Sequence, residues 1–201
     1  MEAPTSSSSA DKKRLPKLHP NSYQQFSATH WTLCIKDRRK GWLNSDWHAH
    51  FREVLLHAIV RHNAACAIYC LMPDHAHLLL VGTSFESDQR LLIRYLKRHS
   101  SNHPLWTKLK IEWQRDSYDH VLRNAERGPQ EFENTARYIA DNPVRAGIIE
   151  AAESYPFTGV MLPGYATLKW HDERYWSVFW QHIYMRYDSA LSQQIKSPPQ
   201  A

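Results

Sequence analysis

No apolar run in this chain approaches the ~20 residues that a helix needs to cross a bilayer, which excludes a helical membrane span. The opening stretch MEAPTSSSSADKKRLPKLHP lacks the apolar core of a secretory signal, so export by that route is not expected. Residues 1–20 read instead as a disordered, slightly basic arm, with Lys12, Lys13, Arg14 and Lys17 as its cationic cluster. Cysteine is scarce: Cys34, Cys66 and Cys70 are an odd number set in apolar, strand-like stretches. That pattern suits buried thiols in a reducing compartment and excludes a disulfide framework. A zinc site on Cys66 and Cys70 would need further ligands that no local spacing supplies. There is no HExxH and no paired CxxC, so a zinc hydrolase built on some other cluster of the 13 histidines has no signature to support it. Internal repeats are absent too.

The chain has 201 residues, enough for one domain with a real core plus an appendage, and 42% of them are hydrophobic, as in an ordinary globular protein. Lysine and arginine outnumber aspartate and glutamate by 25 to 20, and the pI is about 9.1. A polyanionic partner is favoured by that balance without being established by it.

Residues 26–35 (FSATHWTLCI) are rich in β-branched and aromatic side chains and predict a strand. A helix follows from Ser45, which can cap it, with Trp47, Phe51, Val54, Leu55, Ala58 and Ile59 at helical spacing. Residues 65–71 and 75–81 read as two strands joined by a tight Pro73-Asp74 connection. Residues 88–99 predict a second helix, with Leu91, Leu92, Tyr95 and Leu96 on one side and Arg90, Arg94, Lys97 and Arg98 mostly on the other. After a basic, less regular stretch, residues 118–122 suit a fourth strand. Residues 129–142 suit a third helix, ended by Asn142-Pro143 because proline disfavours helical geometry in the residue before it. The order β-α-β-β-α-β is the split βαβ, or ferredoxin-like, arrangement of an α+β protein, an antiparallel sheet with an added helix. Residues 161–201 form an aromatic C-terminal extension. Asp172 opens a plausible helix there, with Trp176, Phe179, Trp180, Ile183, Tyr184 and Tyr187 at three- and four-residue spacing. Such a face either packs on the core or offers a stacking platform for unpaired bases. The final SPPQA should be disordered.

With 13 histidines in this length, about one His-x-His triplet is expected by composition, and there are two, His48-Ala49-His50 and His75-Ala76-His77. Geometry separates them. On a helix, residues two apart point roughly 200° apart, so His48 and His50 cannot readily share an ion. On a strand they project from one face with Cα atoms ~6.5–7 Å apart, and their imidazoles can converge on a metal. His75 and His77 are therefore the chelator candidates, against the alternative of two imidazoles on a polar sheet face. Tyr138 and Asn142, four apart on the third helix, share a face about one turn apart. A nucleophile and an amide oxygen on one helix, opposite two strand histidines, would make a compact metal site with positions open for a phosphate. The alternatives are a core tyrosine and a helix-terminal asparagine.

The strand CLMPDHAHLLL, the segment WQRDSYDHVLR and the helix end RYIADNPVRAGII together resemble the REP-associated tyrosine transposases, relatives of the IS200-type single-tyrosine transposases. The similarity runs over roughly residues 20–160, and the pairing of YI-x-x-NPV-x-AG with an upstream His-x-His is its specific part. The resemblance implies a ferredoxin-like HUH nuclease domain over residues 21–160 and a Mg²⁺ or Mn²⁺ cofactor. It implies cleavage of single-stranded DNA next to REP-like hairpins, by a monomer or homodimer in a bacterial, nucleoid-associated cytoplasmic setting. Carried onto this chain, the metal histidines are His75 and His77, the nucleophile is Tyr138 and the third ligand is Asn142. Ala76 stands where a bulkier hydrophobe is common, and it faces away from the metal. Arg90, Arg94, Lys97, Arg98, Lys108 and Lys110 become candidate phosphate contacts, where composition alone favours a solvated helix face.

Forming a phenolate at pH 7 from an ordinary tyrosine costs about 4 kcal/mol. A metal that polarises the phosphate and aligns it with the phenol can offset that cost. Attack would give a 5′-phosphotyrosyl bond and a free 3′-hydroxyl, preserving bond energy for later rejoining. The rival class is a hairpin-binding module that has lost strand transfer. A pure binder has no need of His75, His77, Tyr138 and Asn142 together, which favours the enzyme.

Overall fold

A computed structural model describes residues 18–123, 126 and 128–196. Most of the expected N-terminal arm and the SPPQA end lie outside them. In chain order the elements are β1 (Ala28–Cys34), α1 (Ser45–Arg61), β2 (Ala64–Met72), β3 (His75–Gly82), α2 (Gln89–Ser100), α3 (Pro104–Leu109), β4 (Tyr118–Val121), α4 (Pro129–Ala140), α5 (Asn142–Arg145), β5 (Thr158–Met161) and α6 (Tyr175–Lys196). The strands form one antiparallel sheet in the order β4-β1-β3-β2-β5. The first four strands are the ferredoxin-like arrangement expected from the sequence, and β5 extends it along the outer edge of β2. Among the described residues, no helix is long and apolar enough to cross a membrane.

Alternation along β3 sorts the molecule into two layers. Ala76, Leu78 and Leu80 face α1 and α2, where Trp42, Trp47 and Trp106 are fully buried and Trp47 stacks on Trp106 with centroids 5.0 Å apart. His75 and His77 share the opposite face with Leu79 and Val81, and there α4 and α6 cover the sheet through Phe132, Ala136, Ile139, Tyr175, Phe179 and Ile183. A strand whose neighbours on both faces are helices is buried almost throughout, so β2 reads as a continuous apolar run.

Several local expectations need correction. Asn44, one residue before Ser45, caps α1, its side chain accepting from Trp47 N at 2.8 Å. In α2 the buried stripe is Leu92, Ile93 and Leu96, while Leu91 is 42% exposed, because Asp88 caps the helix and sets its rotation against the sheet. The basic stretch after α2 holds a helix, α3, with Pro104 in its first turn and His103 capping it. α4 ends at Ala140. The Asn142-Pro143 pair then starts a further helical turn, α5, since proline is tolerated where no amide donor is needed. α6 begins at Tyr175, after a turn that Asp172 closes by accepting from Lys169 N at 2.8 Å. Its first half packs an aromatic face on the core, Phe179 stacking on Phe132 at 5.6 Å, whereas Tyr184 is 55% exposed.

Candidate active site

The His75 and His77 side chains meet on the α4 side of β3, with their Nε2 atoms 3.0 Å apart. Two nitrogens bound at right angles to one ion, each at about 2.0–2.1 Å, are separated by about that distance. The remaining ring nitrogens are held from behind. Nδ1 of His75 lies 2.6 Å from Oδ1 of Asp74, and Nδ1 of His77 lies 3.1 Å from Oγ1 of Thr32 and 3.0 Å from Nε2 of His30. A carboxylate on the far nitrogen of an imidazole fixes its tautomer and turns the other lone pair toward a cation. Burial opposes the charge of Asp74, but the His75 hydrogen bond and the charges of His75, Arg38 and Lys40 outweigh it and hold the carboxyl below its usual range. Arg38 adds a 3.3 Å ion pair. His77 is buried, and burial first, then His30, His75, Arg145 and Arg38, pushes its pKa down to about 3. It is therefore a neutral imidazole at pH 7, the form that donates to a metal. The donor set fits a divalent ion held by His75 and His77 with Asp74 behind them. Among the described residues no cluster of three or more histidine, cysteine or acidic side chains could hold one.

Tyr138 lies near the C-terminal end of α4, on the layer that covers the histidine face, and is 54% exposed. Its ring lies under the Arg145 guanidinium, 3.8 Å from centroid to Cζ. Arg145 also donates to the Tyr138 carbonyl at 3.1 Å and to Oδ1 of Asn142 at 2.8 Å, and its charge contributes to the depression at His77. Asn142 turns its Nδ2 back onto the carbonyls of Tyr138 and Ile139, at 3.3 and 3.1 Å. Its amide oxygen, the atom expected to bind a metal, is thus engaged by Arg145. The α4–α5 junction consequently builds one cluster of phenol, guanidinium and amide. His48 and His50 diverge as helix geometry requires, His48 to the Tyr69 hydroxyl and His50 to the His99 carbonyl.

Residues 24–142 match the family model described as Transposase IS200 like, a span of more than half the chain. This chain belongs to the IS200-like transposase family. It is 25% identical over 140 residues to a Haemophilus influenzae protein carrying the provisional name REP-associated tyrosine transposase, covering 64% of this chain and 76% of that one. Its fold matches a solved REP-associated tyrosine transposase bound to a REP hairpin, with a TM-score of 0.59, 19% identity, and coverage of 71% of this chain and 82% of the other.

The cations singled out from the sequence of this IS200-like transposase do not form one patch. Arg90, Arg94 and Lys97 line a groove of about 520 Å³ together with Tyr23, Trp31 and Arg115, on the sheet face opposite His75 and His77. The Lys97 ammonium is committed to the Gln114 carbonyl, to the Arg115 carbonyl at 3.1 Å and to Ser117 Oγ at 3.4 Å. Arg98 and Lys108 are exposed outside that groove, and Lys110 is the left-handed cap of α3. Sequence reasoning missed His30, Thr32, Asp74 and Arg145. Asp74 adjoins His75, and Arg145 stands in the NPVRAG run, so both carried a signal. His30 and Thr32 alternate on β1, but only the register that sets Thr32 beside His77 brings them to the site.

Proposed function

We propose that this IS200-like transposase is a metal-assisted single-strand DNA endonuclease and strand transferase that acts next to hairpins through Tyr138. The observation that carries the reading is the 3.0 Å approach of the His75 and His77 Nε2 atoms on the sheet face covered by the helix that bears Tyr138. The REP hairpin bound to the solved relative supports hairpin DNA as the substrate class. His75 and His77, with Asn142 as the third ligand, would hold a Mg²⁺ or Mn²⁺ ion, which when bound polarises the scissile phosphate. The Asn142 amide oxygen keeps one lone pair beside its bond to Arg145, so its service as a ligand is coupled to the position of the guanidinium. Tyr138 Oη attacks phosphorus while its proton passes to solvent. The phosphorus–O3′ bond breaks and the leaving oxygen takes up a proton as a 3′-hydroxyl. The 5′-phosphotyrosyl bond that remains can later be attacked by a second 3′-hydroxyl, which rejoins DNA and restores the phenol. Asp74 and Thr32 hold the imidazoles in the donating tautomer throughout.

Labelled single-stranded hairpins incubated with Mn²⁺ or Mg²⁺ should give a covalent adduct on a denaturing gel. Tyr138→Phe should abolish it while leaving hairpin binding nearly intact, since the ring keeps its place under Arg145. His75→Ala and His77→Ala should abolish both the adduct and calorimetric Mn²⁺ binding, and His48→Ala should spare both. An adduct that persists in Tyr138→Phe overturns the nucleophile assignment. Tight hairpin binding with no adduct from the wild-type chain would identify a silent hairpin-binding protein.

A further inference from the structure

β1 leaves the sheet beside the proposed metal ligands. Cys34, its last residue, pairs with His75, and Ile35 N then donates to the Asp74 carbonyl at 3.0 Å. The chain reverses through Lys36, Asp37, Arg38 and Arg39, where Asp37 and Arg38 both take left-handed backbone, with φ of 56° and 51°. Two consecutive side chains in that region persist only where the surroundings hold them. Here both flanks are fastened to the segment between α3 and β4. Lys36 N donates to the Glu112 carbonyl at 2.8 Å, and the Lys36 ammonium pairs with the Glu112 carboxylate at 2.9 Å. On the other flank Arg39 Nη1 donates to the Lys110 carbonyl at 2.8 Å. The apex between them returns Arg38 to Asp74, with Nη1 3.3 Å from Oδ2.

Asp74 is thereby held at both oxygens, Oδ2 by Arg38 and Oδ1 by Nδ1 of His75 at 2.6 Å. The two histidines are not equally secured. The His77 ring is buried and has both Thr32 and His30 at its Nδ1. The His75 side chain is 19% exposed, and its Nδ1 faces Asp74. The two imidazole planes stand at 89° to each other, so the Nε2 atoms converge only while the His75 ring keeps its rotation. Asp74 sets that rotation, yet the terminal torsion of a carboxylate is broad and does not fix itself. A tie on the second oxygen fixes it. The Arg38 side chain is 53% exposed, and an exposed ion pair contributes little to folding stability. The consequence of this pair is therefore orientation.

We propose that Arg38 is a positioning residue of the metal centre, acting through Asp74 to hold the His75 ring with Nε2 toward the ion. The inference rests on the reading of His75 and His77 as metal ligands. Charge and position predict opposite signs here. Arg38 is a cation beside a cation site, so by charge alone its removal strengthens Mn²⁺ binding, whereas by position its removal weakens it. The deciding measurement is calorimetric Mn²⁺ binding to the full chain, without DNA and at fixed ionic strength. Loss of an outer partner of a ligating histidine costs about 10–100-fold in affinity, the range expected for Asp74→Asn. Arg38→Gln, one bond further out, should weaken binding by roughly three- to tenfold and keep the wild-type urea midpoint. Arg38→Lys keeps the charge without the planar fork and should recover only part of that loss. In the Asp74→Asn background, Arg38→Gln should cause no further loss, because the residue it acts through is gone. Unchanged or tighter Mn²⁺ binding by Arg38→Gln overturns the inference while leaving the metal reading intact. If hairpin binding by that variant also shows a shallower salt dependence, Arg38 is a phosphate contact instead. Losses that simply add in the double variant, or a loss matched by a lower urea midpoint, would overturn it as well. Failure of the wild-type chain to bind Mn²⁺ at all would overturn the metal reading, and the inference with it.

Discussion

Arg145 makes two contacts with Tyr138 in the last turn of α4 and one with Asn142 at the start of α5, and each constrains the proposed nucleophile differently. The bond to the Tyr138 carbonyl joins that from Asn142 Nδ2 in satisfying a helix-end acceptor. The guanidinium over the ring limits the phenol to one side of the helix. Its bond to Asn142 links the phenol to the third proposed ligand. A cation–π contact at an exposed ring is worth about 0.5–1 kcal/mol, a factor of roughly two to five in rate if it is felt in the transition state. Arg145→Met, which keeps an unbranched stem but removes the guanidinium, should lower the rate of adduct formation by about that factor or more. Calorimetric Mn²⁺ affinity should stay constant or improve, because the amide oxygen of Asn142 is released. A drop in Mn²⁺ affinity would mean that Arg145 supports the ligands rather than the nucleophile. Asp74, Thr32 and His30 act at the same scale on the other side of the site, where each takes an imidazole nitrogen that is not offered to the ion.

At the scale of the element, α2 shows how a helix legible in the sequence can be misjudged in its roles. Its four cations look equivalent at helical spacing, yet Arg94 is exposed at the groove whereas Lys97 reaches across to the carbonyls of residues 114 and 115. A charged donor satisfying several acceptors contributes about 1.5–3 kcal/mol per bond made to a charged group. Lys97→Gln should therefore lower folding stability measurably in urea and loosen the segment leading into β4. Arg94→Gln should leave the urea midpoint within error. If Arg94 contacts a phosphate, its loss should also reduce the slope of log affinity against log salt by about 0.7 for a single strand. Equal stability of the two variants would show that the Lys97 bonds are not maintained in solution. The same distinction explains what the sequence could and could not convey. The α1 face from Trp47 to Ile59, the β2–β3 hairpin and the His-x-His strand are local patterns with a period, and all of them stand in the structure. β5 is only four residues long and depends on Gly159, where a Cβ would come within 2.4 Å of the Tyr69 hydroxyl, a long-range constraint that no local pattern carries. α3 was obscured by its short length and its basic composition, and its reason to exist is tertiary, the burial of Trp106 among Trp42, Trp47 and Trp113.

For the molecule as a whole, a sheet covered on both faces encloses polar histidines that a one-sided sheet would leave wet. His30 and His48 have pKa values pushed down to about 4, and His77 to about 3, in each case chiefly by burial. They sit on both sides of the sheet: His48 on α1, against Tyr69, and His30 and His77 on the face under α4. An unfolded chain protonates such histidines near pH 6.5, while the folded chain keeps them neutral. Between pH 6.5 and about 4 the unfolded state thus binds more protons than the folded one, so stability is full above pH 6.5 and falls as the solution is acidified. Each histidine can contribute a slope of at most about 1.4 kcal/mol per pH unit, reduced where its ring is partly wet or coupled to a neighbour. Urea unfolding from pH 7 to pH 5, with chelator present so that only protons compete for the imidazoles, should show stability decreasing with a slope of more than one proton. His48→Gln keeps a hydrogen-bonding partner for Tyr69 but cannot titrate, and it lies on the sheet face away from His75 and His77. It should be somewhat less stable than the wild-type chain at pH 7, and its stability should fall less steeply, by up to one proton. If the slope of His48→Gln matches that of the wild-type chain, His48 is not held neutral by the fold, and the acid sensitivity originates at the other histidines that burial depresses, His30 and His77 under α4 together with His62 and His182.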